Sequence, residues 1–182
     1  VVSRGKDLRR LHDAITDYAR RLLTSKLTSD ETRRLEALIT VTANIDHVAE
    51  TIAVNMVSIG RERLERRFTL SRETAARFQP YISRVREGYL TAIKALDEKD
   101  TEAAAAVMEM RAEVDRMSRE MVEHLSVRLL SDDPDRAVLY RVESRLVELI
   151  QRIYYFSRVI AGEILKESQP AEETKARYDI AS

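Results

Sequence analysis

Apolar residues recur every three or four positions along nearly the whole chain, which is the pattern of long amphipathic helices. Short polar segments divide this pattern into five stripes, and we predict one helix for each stripe. The predicted helices run from about Ser3 to Ser25, from Thr28 to about Arg67, from Ser71 to Glu98, from Asp100 past Leu125, and from Asp133 to about Glu167. The sequence therefore predicts an all-α fold, an antiparallel bundle of about five long helices.

Local signals mark where these helices begin. Thr28 precedes Glu31 by three residues, which is the spacing of a capping box. Ser71 and Asp100 are suited to cap the third and fourth helices. Asp133-Pro134 combines an acidic cap with proline at the first helical position, and we expect the fifth helix to start there.

Two positions interrupt the helical pattern. Pro80 lies inside the third predicted helix, so we expect either a kink or a helix that begins at this residue. Gly60 lies near the end of the second predicted helix, where it indicates a bend or a close contact with a neighbour.

Composition supports long helices and excludes several classes of function. The 182 residues include only 4 Gly and 3 Pro, so few turns interrupt the chain. There is no Cys, which excludes disulfides, thiolate metal sites and a cysteine nucleophile. The 31 basic residues balance 31 acidic ones, so we expect no nucleic-acid partner. The sequence contains neither a signal peptide nor an apolar run of ~18 residues that would span a bilayer.

Catalytic motifs are absent from the sequence. It has no Ser-His-Asp constellation and no glycine-rich phosphate loop. The Glu-x-x-His spacing of di-iron bundles does not occur, and His12 and His124 are isolated. We therefore expect a protein that is not an enzyme.

The most distinctive polar feature is an acid pair in the middle of the second helix. Asp46 and Glu50 are four residues apart, so they project from one face of the helix, within its apolar stripe. The equivalent positions in the second half of the chain are Gln151 and Tyr155, which are not acids. This difference indicates a duplicated helical unit in which one acid site survives.

Other segments support the duplication. Asp7–Leu11 resembles Glu113–Met117, and Arg21–Leu23 resembles Arg128–Leu130 with a slip of one residue. Each segment is followed by a short capped linker and a long helix. We interpret this as a degenerate helix-turn-helix repeat whose copies are joined by the third helix.

Two interpretations of the acid pair remain open. Asp46 and Glu50 would bind a hard cation if acids of the first helix, Asp13 or Asp17, completed the site. Alternatively, arginines of the first or fifth helix neutralise the pair, or the pair lies at the solvent edge, because buried carboxylates need compensation. His47 projects about 100° away from Asp46 and is interpreted as a surface or packing residue.

These segments resemble a PhoU-like domain, most closely the C-terminal cytoplasmic domain of bacterial sodium/phosphate cotransporter family proteins. Ile45-Asp46-His47-Val48-Ala49-Glu50 is similar to the family's Leu-Glu-Arg-Ile-Gly-Asp segment, with the two acids exchanged. The helix that begins with Asp7–His12 looks like the family's acid-rich preceding helix. Met121–Leu125 followed by Arg128–Leu130 is similar to the cotransporter-type version. The resemblance covers Lys6 to Leu165.

The resemblance implies a function and a set of partners. It implies two degenerate PhoU-like repeats in a domain over residues 1–168, followed by a polar C-terminal tail over 169–182. It implies a non-enzymatic regulatory domain of a sodium-dependent phosphate transporter, lying at the cytoplasmic face of the membrane and joined to an upstream transmembrane domain. It also implies a divalent or ferric ion at Asp46 and Glu50. Because the chain starts with Val1 rather than Met, we expect a fragment of a longer protein.

Two alternatives remain beside this hypothesis. One is a free-standing PhoU-like adaptor that binds metal and regulates phosphate transport or signalling. The other is a plain helical dimerisation scaffold without a ligand, and a homodimer is compatible with each of the three.

Overall fold

Helices form every regular element that the structure describes. The computed structural model of this chain describes residues 2–130 and 136–168. Its helices are α1 (Val2–Leu23), α2 (Ser29–Glu50), α3 (Val57–Glu65), α4 (Arg72–Glu98), α5 (Thr101–Glu109), α6 (Arg111–Leu129) and α7 (Arg136–Glu167). A π-helical segment, Thr51–Met56, joins α2 to α3. The predicted all-α bundle is confirmed.

The predicted caps form as the sequence indicates. The Thr28 N–H donates to Glu31 Oε2 at 2.8 Å, and the Glu31 N–H donates back to Thr28 Oγ1 at 3.3 Å, which completes the capping box. The Asp100 side chain accepts from the Ala103 N–H at 3.0 Å. The predicted start at Asp133-Pro134 and the polar tail over 169–182 lie outside the described residues.

Four details differ from the sequence prediction. The second predicted helix contains the π-helical segment, and the fourth is divided at Met110 into α5 and α6. Helix α4 continues through Pro80 from Arg72 to Glu98, so the alternative in which it begins at Pro80 is wrong. A side chain at Gly60 would meet no heavy atom within 4 Å, so Gly60 does not mark a close contact.

Helix α7 is the centre of the bundle. It packs against α4, α5 and α6 on one side and against α2 on the other, while α1 packs on α2. The α1–α2, α4–α6, α6–α7 and α2–α7 pairs are antiparallel, and α4 runs parallel to α7. The α4–α7 contact is close, since a Cβ on Gly88 would lie 3.4 Å from Tyr154 Cδ2. The Tyr154 hydroxyl also joins α7 to α5, where it donates to the Val107 carbonyl at 2.7 Å.

Helix α1 is an edge helix with two apolar faces. Its inner face carries the buried Ala19, and Gly5 lies so close to the π-helical segment that an added Cβ would be 2.8 Å from Ala53 Cβ. Leu11 and Tyr18, seven residues apart on the outer face, are each 60% exposed. The apolar pattern of α1 is therefore only partly buried, because the helix packs mainly on one neighbour, α2.

A fully buried ion pair lies at the start of α7. Arg136 and Glu143 are both buried, and Arg136 Nη2 donates to Glu143 Oε2 at 2.8 Å. Buried charges of this kind are tolerated only when they are paired, so the two side chains fix each other and the first turns of α7.

Candidate functional site

The acid pair on α2 faces α1, where a single arginine meets both carboxylates. Arg9 Nη2 lies 3.7 Å from Asp46 Oδ2 and 3.5 Å from Glu50 Oε1. Asp46 is buried, and the Glu50 side chain is 40% exposed. The structure thus places the pair at a polar junction between the two helices, partly open to solvent.

The contacts made by Arg9 are loose. One guanidinium nitrogen serves both carboxylates at distances at or beyond the limit of a hydrogen bond, and half of the arginine side chain is exposed. Exposed ion pairs of this quality contribute little to stability. Of the interpretations considered from the sequence, neutralisation by an arginine of the first helix agrees with this geometry.

The acids of α1 do not join the pair. Asp13 and Asp17 are both exposed, and Asp17 pairs with Arg20 of its own helix at 3.6 Å. Each step of four residues turns the side chain by about 40°, so positions 13 and 17 rotate progressively away from the face on which Arg9 meets α2. Within residues 2–130 and 136–168, no three His, Asp or Glu side chains come together as a metal site.

The π-helical segment begins directly after Glu50. Thr51, at its first position, is buried and donates its hydroxyl to the His47 carbonyl at 2.7 Å. Segments of this kind are rare and are often found at functional sites. Ile52 keeps the spacing of the apolar stripe in the sequence but is 39% exposed, because the wider turn of a π-helix takes positions three and four residues apart off a common face.

Sequence reasoning missed two polar atoms on the inner face of α1. His12 Nδ1 and Thr16 Oγ1 are buried and have no hydrogen-bond partner in the structure. A buried polar group without a hydrogen-bond partner lowers the stability of the folded state. An isolated histidine in the sequence gives no sign of this environment, since burial depends on which face of α1 meets α2.

A shallow cleft opens beside the acid pair. Its volume is about 230 Å³, and Glu50, Arg9, Gly5 and Val54 are among the residues that line it. Because it adjoins Glu50, solvent reaches the more exposed carboxylate of the pair.

In the second copy, the residues at the positions of the acid pair, Gln151 and Tyr155, carry no carboxylate. Gln151 donates its amide to Asp115 Oδ1 at 2.7 Å and accepts from the Tyr81 hydroxyl at 2.8 Å, so it joins α6 and α4 to α7. Burial raises the pKa of Tyr81 to about 12, which keeps the phenol protonated. The Asp115–Gln151 contact between α6 and α7 occupies the place that Arg9 and Asp46 occupy between α1 and α2.

The aromatic residues around this second copy have different roles. Tyr154 and Phe156 are buried, whereas Tyr155 is exposed and lines a cleft of about 460 Å³ between α6 and α7. His47 stacks on Phe156 with ring centroids 5.0 Å apart, in agreement with its interpretation as a packing residue.

No helix in the described part of the chain is long and apolar enough to cross a membrane.

The geometry defines a helical bundle in which polar side chains link neighbouring helices at equivalent places in two halves. Residues 82–160 match the PhoU domain family, from within α4 to near the end of α7. PhoU domains have a role in phosphate homeostasis and are regulatory rather than catalytic. A comparison with curated proteins gives no match.

The match confirms part of the predicted resemblance. It covers the copy that contains Gln151 and Tyr155, and it does not extend to Asp46 and Glu50. The wider resemblance from Lys6 to Leu165, and the sodium/phosphate cotransporter context, stay predictions.

Proposed function

We propose that this chain is a non-enzymatic regulatory domain that acts on phosphate uptake. The observation that carries the proposal is the PhoU domain over residues 82–160. The fold agrees with it, because PhoU domains are helical bundles.

The finer proposal is that the domain regulates a sodium-dependent phosphate transporter from the cytoplasmic face of the membrane. On this proposal its partner is a transmembrane domain upstream in the same chain. The outer face of α1 supports a protein contact, since Leu11 and Tyr18 leave an apolar surface on the edge of the bundle.

The acid pair is the proposed sensing element. Asp46 and Glu50 would hold a divalent or ferric ion, and solvent entering beside Glu50 would complete the coordination shell. The two carboxylates fit this role only in part, because Arg9 already compensates their charge. A cation at the pair therefore has to displace Arg9, which would change the contact between α1 and α2.

The proposal is tested by removing the domain from its own gene. We expect that deleting the coding region for residues 2–168 changes the rate of phosphate uptake in cells moved between phosphate-poor and phosphate-rich medium, with uptake measured by radiolabelled phosphate. A matched strain carries Glu120→Gln, which alters an exposed pair with Arg116 outside the site. Unchanged uptake in both media after the deletion would contradict the proposal.

The sequence encoded upstream of Val1 distinguishes the transporter domain from the free-standing adaptor. Several segments of ~20 apolar residues upstream of Val1 support regulation within one transporter chain. Their absence supports the free-standing adaptor. A deletion without effect on uptake, together with stable self-association of the purified chain, supports the dimerisation scaffold.

A further inference from the structure

A polar cluster joins the start of α4 to the last turns of α6. Ser71 and Thr74 contribute hydroxyls from the first turn of α4, and His124 and Arg128 approach them from α6. Thr74 is fully buried, and the His124 side chain is only 8% exposed. This cluster lies apart from the acid pair and from the Gln151 junction.

Neighbouring groups occupy the donor and both acceptor sites of the Ser71 hydroxyl. It accepts from the Thr74 N–H at 3.1 Å as the cap of α4, and it also accepts from Arg128 Nη1. Its own proton goes to Thr74 Oγ1 at 3.0 Å. Ser71 is therefore both a helix cap and the point where Arg128 of α6 is attached.

The donor and both acceptor sites of the Thr74 hydroxyl are also occupied. Its two acceptor sites take hydrogen bonds from Ser71 and from Arg128 Nη1, the latter at 2.9 Å. Its single proton must then go to His124 Nε2, which is 3.0 Å away. His124 is consequently neutral, with its proton on Nδ1, which points toward Glu73 Oε1 at 3.6 Å.

Charges from three helices act on this histidine. On α4, Glu73 favours the protonated ring and Arg77 favours the neutral one. Arg128, on the same helix as His124, also favours the neutral ring, whereas Glu143 of α7 favours the protonated one. Arg136 neutralises Glu143 through their buried pair.

We propose that His124 is a proton-operated latch that holds the start of α4 against the end of α6. Protonation would put a hydrogen on Nε2, directly opposite the Thr74 hydroxyl proton. Thr74 could accept from the new donor only by losing Ser71 or Arg128, because it has no third acceptor site. Either loss weakens the cap of α4 or detaches α6 from it, so acid opens this end of the bundle.

The direction of the pH dependence follows from the environment of the ring. Burial, and then the charge of Arg77, lower the pKa of His124 below its ordinary value of 6.5. The folded protein then binds fewer protons at this site than the unfolded chain does. The contribution of the latch to stability is fully present above pH 6.5 and is lost as the pH falls toward the lowered pKa, by up to about tenfold in the unfolding equilibrium constant per pH unit.

The test follows the His124 ring by NMR in the intact chain between pH 8 and pH 5. We expect the Nδ1–H tautomer at pH 7.5, a midpoint below 6.5, and hydrogen-exchange protection at Thr74 and Ala75 that falls through the same midpoint. Arg77→Gln should move the midpoint up, and Glu73→Gln should move it down. Both side chains are more than half exposed, so these variants should fold.

His124→Gln and His47→Gln form the matched pair for the equilibrium measurement. Glutamine can accept from Thr74 but cannot titrate, so His124→Gln should unfold with a flatter pH dependence than the wild type. His47→Gln, which alters an exposed histidine, should keep the wild-type dependence. Any of three results would overturn the proposal. These are an Nε2–H tautomer of His124, a titration midpoint at or above pH 6.5, and hydrogen-exchange protection at Thr74 and Ala75 that does not change as the ring titrates.

Discussion

At the scale of single residues, Arg9 limits how strongly the acid pair can attract a cation. It is the one basic side chain that meets both carboxylates in the described part of the structure, and it does so at 3.5 and 3.7 Å. A cation that binds Asp46 and Glu50 has to compete with this charge. The same position in the second copy needs no such compensation, because Gln151 is neutral.

Removing Arg9 should therefore strengthen cation binding. We expect Arg9→Gln to bind Mn²⁺ roughly fivefold more tightly than the wild type, because an exposed charge at this distance is worth about 1 kcal/mol. Isothermal titration calorimetry of the two proteins measures the difference. The double variant Asp46→Asn with Glu50→Gln should lose binding altogether.

Arg10→Gln is the control for this comparison. Arg10 is exposed and lies 4.0 Å from Asp7 on its own helix, so its removal lowers the net charge equally without touching the pair. Equal Mn²⁺ binding by the wild type and the acid-pair double variant would show that these carboxylates are not a metal site.

At the scale of the helices, glycine positions show how closely each element is packed. Gly60 and Gly162 lie within helices, and an added Cβ would meet no heavy atom within 4 Å at either position. Gly5 differs, since its added Cβ would be 2.8 Å from Ala53 Cβ. The contact at Gly5 brings the start of α1 onto the π-helical segment.

Alanine substitutions should reveal this contrast. Gly60→Ala should raise the free energy of unfolding by about 0.5–1 kcal/mol, because alanine loses less backbone entropy in a helix. Gly5→Ala should lower it, since α1 must move away from Ala53. Urea unfolding of both variants measures the changes, with Gly162→Ala as a second stabilising control. A stable Gly5→Ala protein would mean that α1 does not depend on this approach.

Helix starts were predictable from the sequence, whereas helix faces were not. The Thr28–Glu31 capping box depends on residues three positions apart, so local pattern is enough to identify it. The π-helical segment gives no comparable signal, since the apolar stripe continues across it. Helix α1 carries two apolar faces, and nothing in its sequence indicates that the Leu11 face is left open. Because the sequence does not show which face of α1 meets α2, it also does not show that Asp13 and Asp17 lie away from the acid pair.

At the scale of the whole molecule, the two halves keep one architecture with different chemistry at the junction between their paired helices. One junction contains carboxylates and an arginine that is partly in solvent. The other contains a glutamine held by a tyrosine and an aspartate. The first junction has contacts of 3.5 and 3.7 Å, whereas the second has hydrogen bonds of 2.7 and 2.8 Å.

The open face of α1 gives a prediction for assembly. We expect the purified chain to self-associate, and Leu11→Lys with Tyr18→Lys to make it monomeric while leaving the monomer folded, because both side chains are 60% exposed. Sedimentation velocity gives the mass of each species. Leu64→Lys, at an exposed leucine on α3, should leave association unchanged. A wild-type chain that stays monomeric at high concentration would contradict self-association through the α1 face.

The central position of α7 also governs the order in which the molecule can be made. Helices leave the ribosome from the amino end, so α1 to α6 are synthesised before the helix against which most of them pack. Until residues 136–168 emerge, the inner faces of α2 and α4 have no common surface to cover them. These helices therefore leave apolar stripes unburied until α7 emerges and closes the bundle.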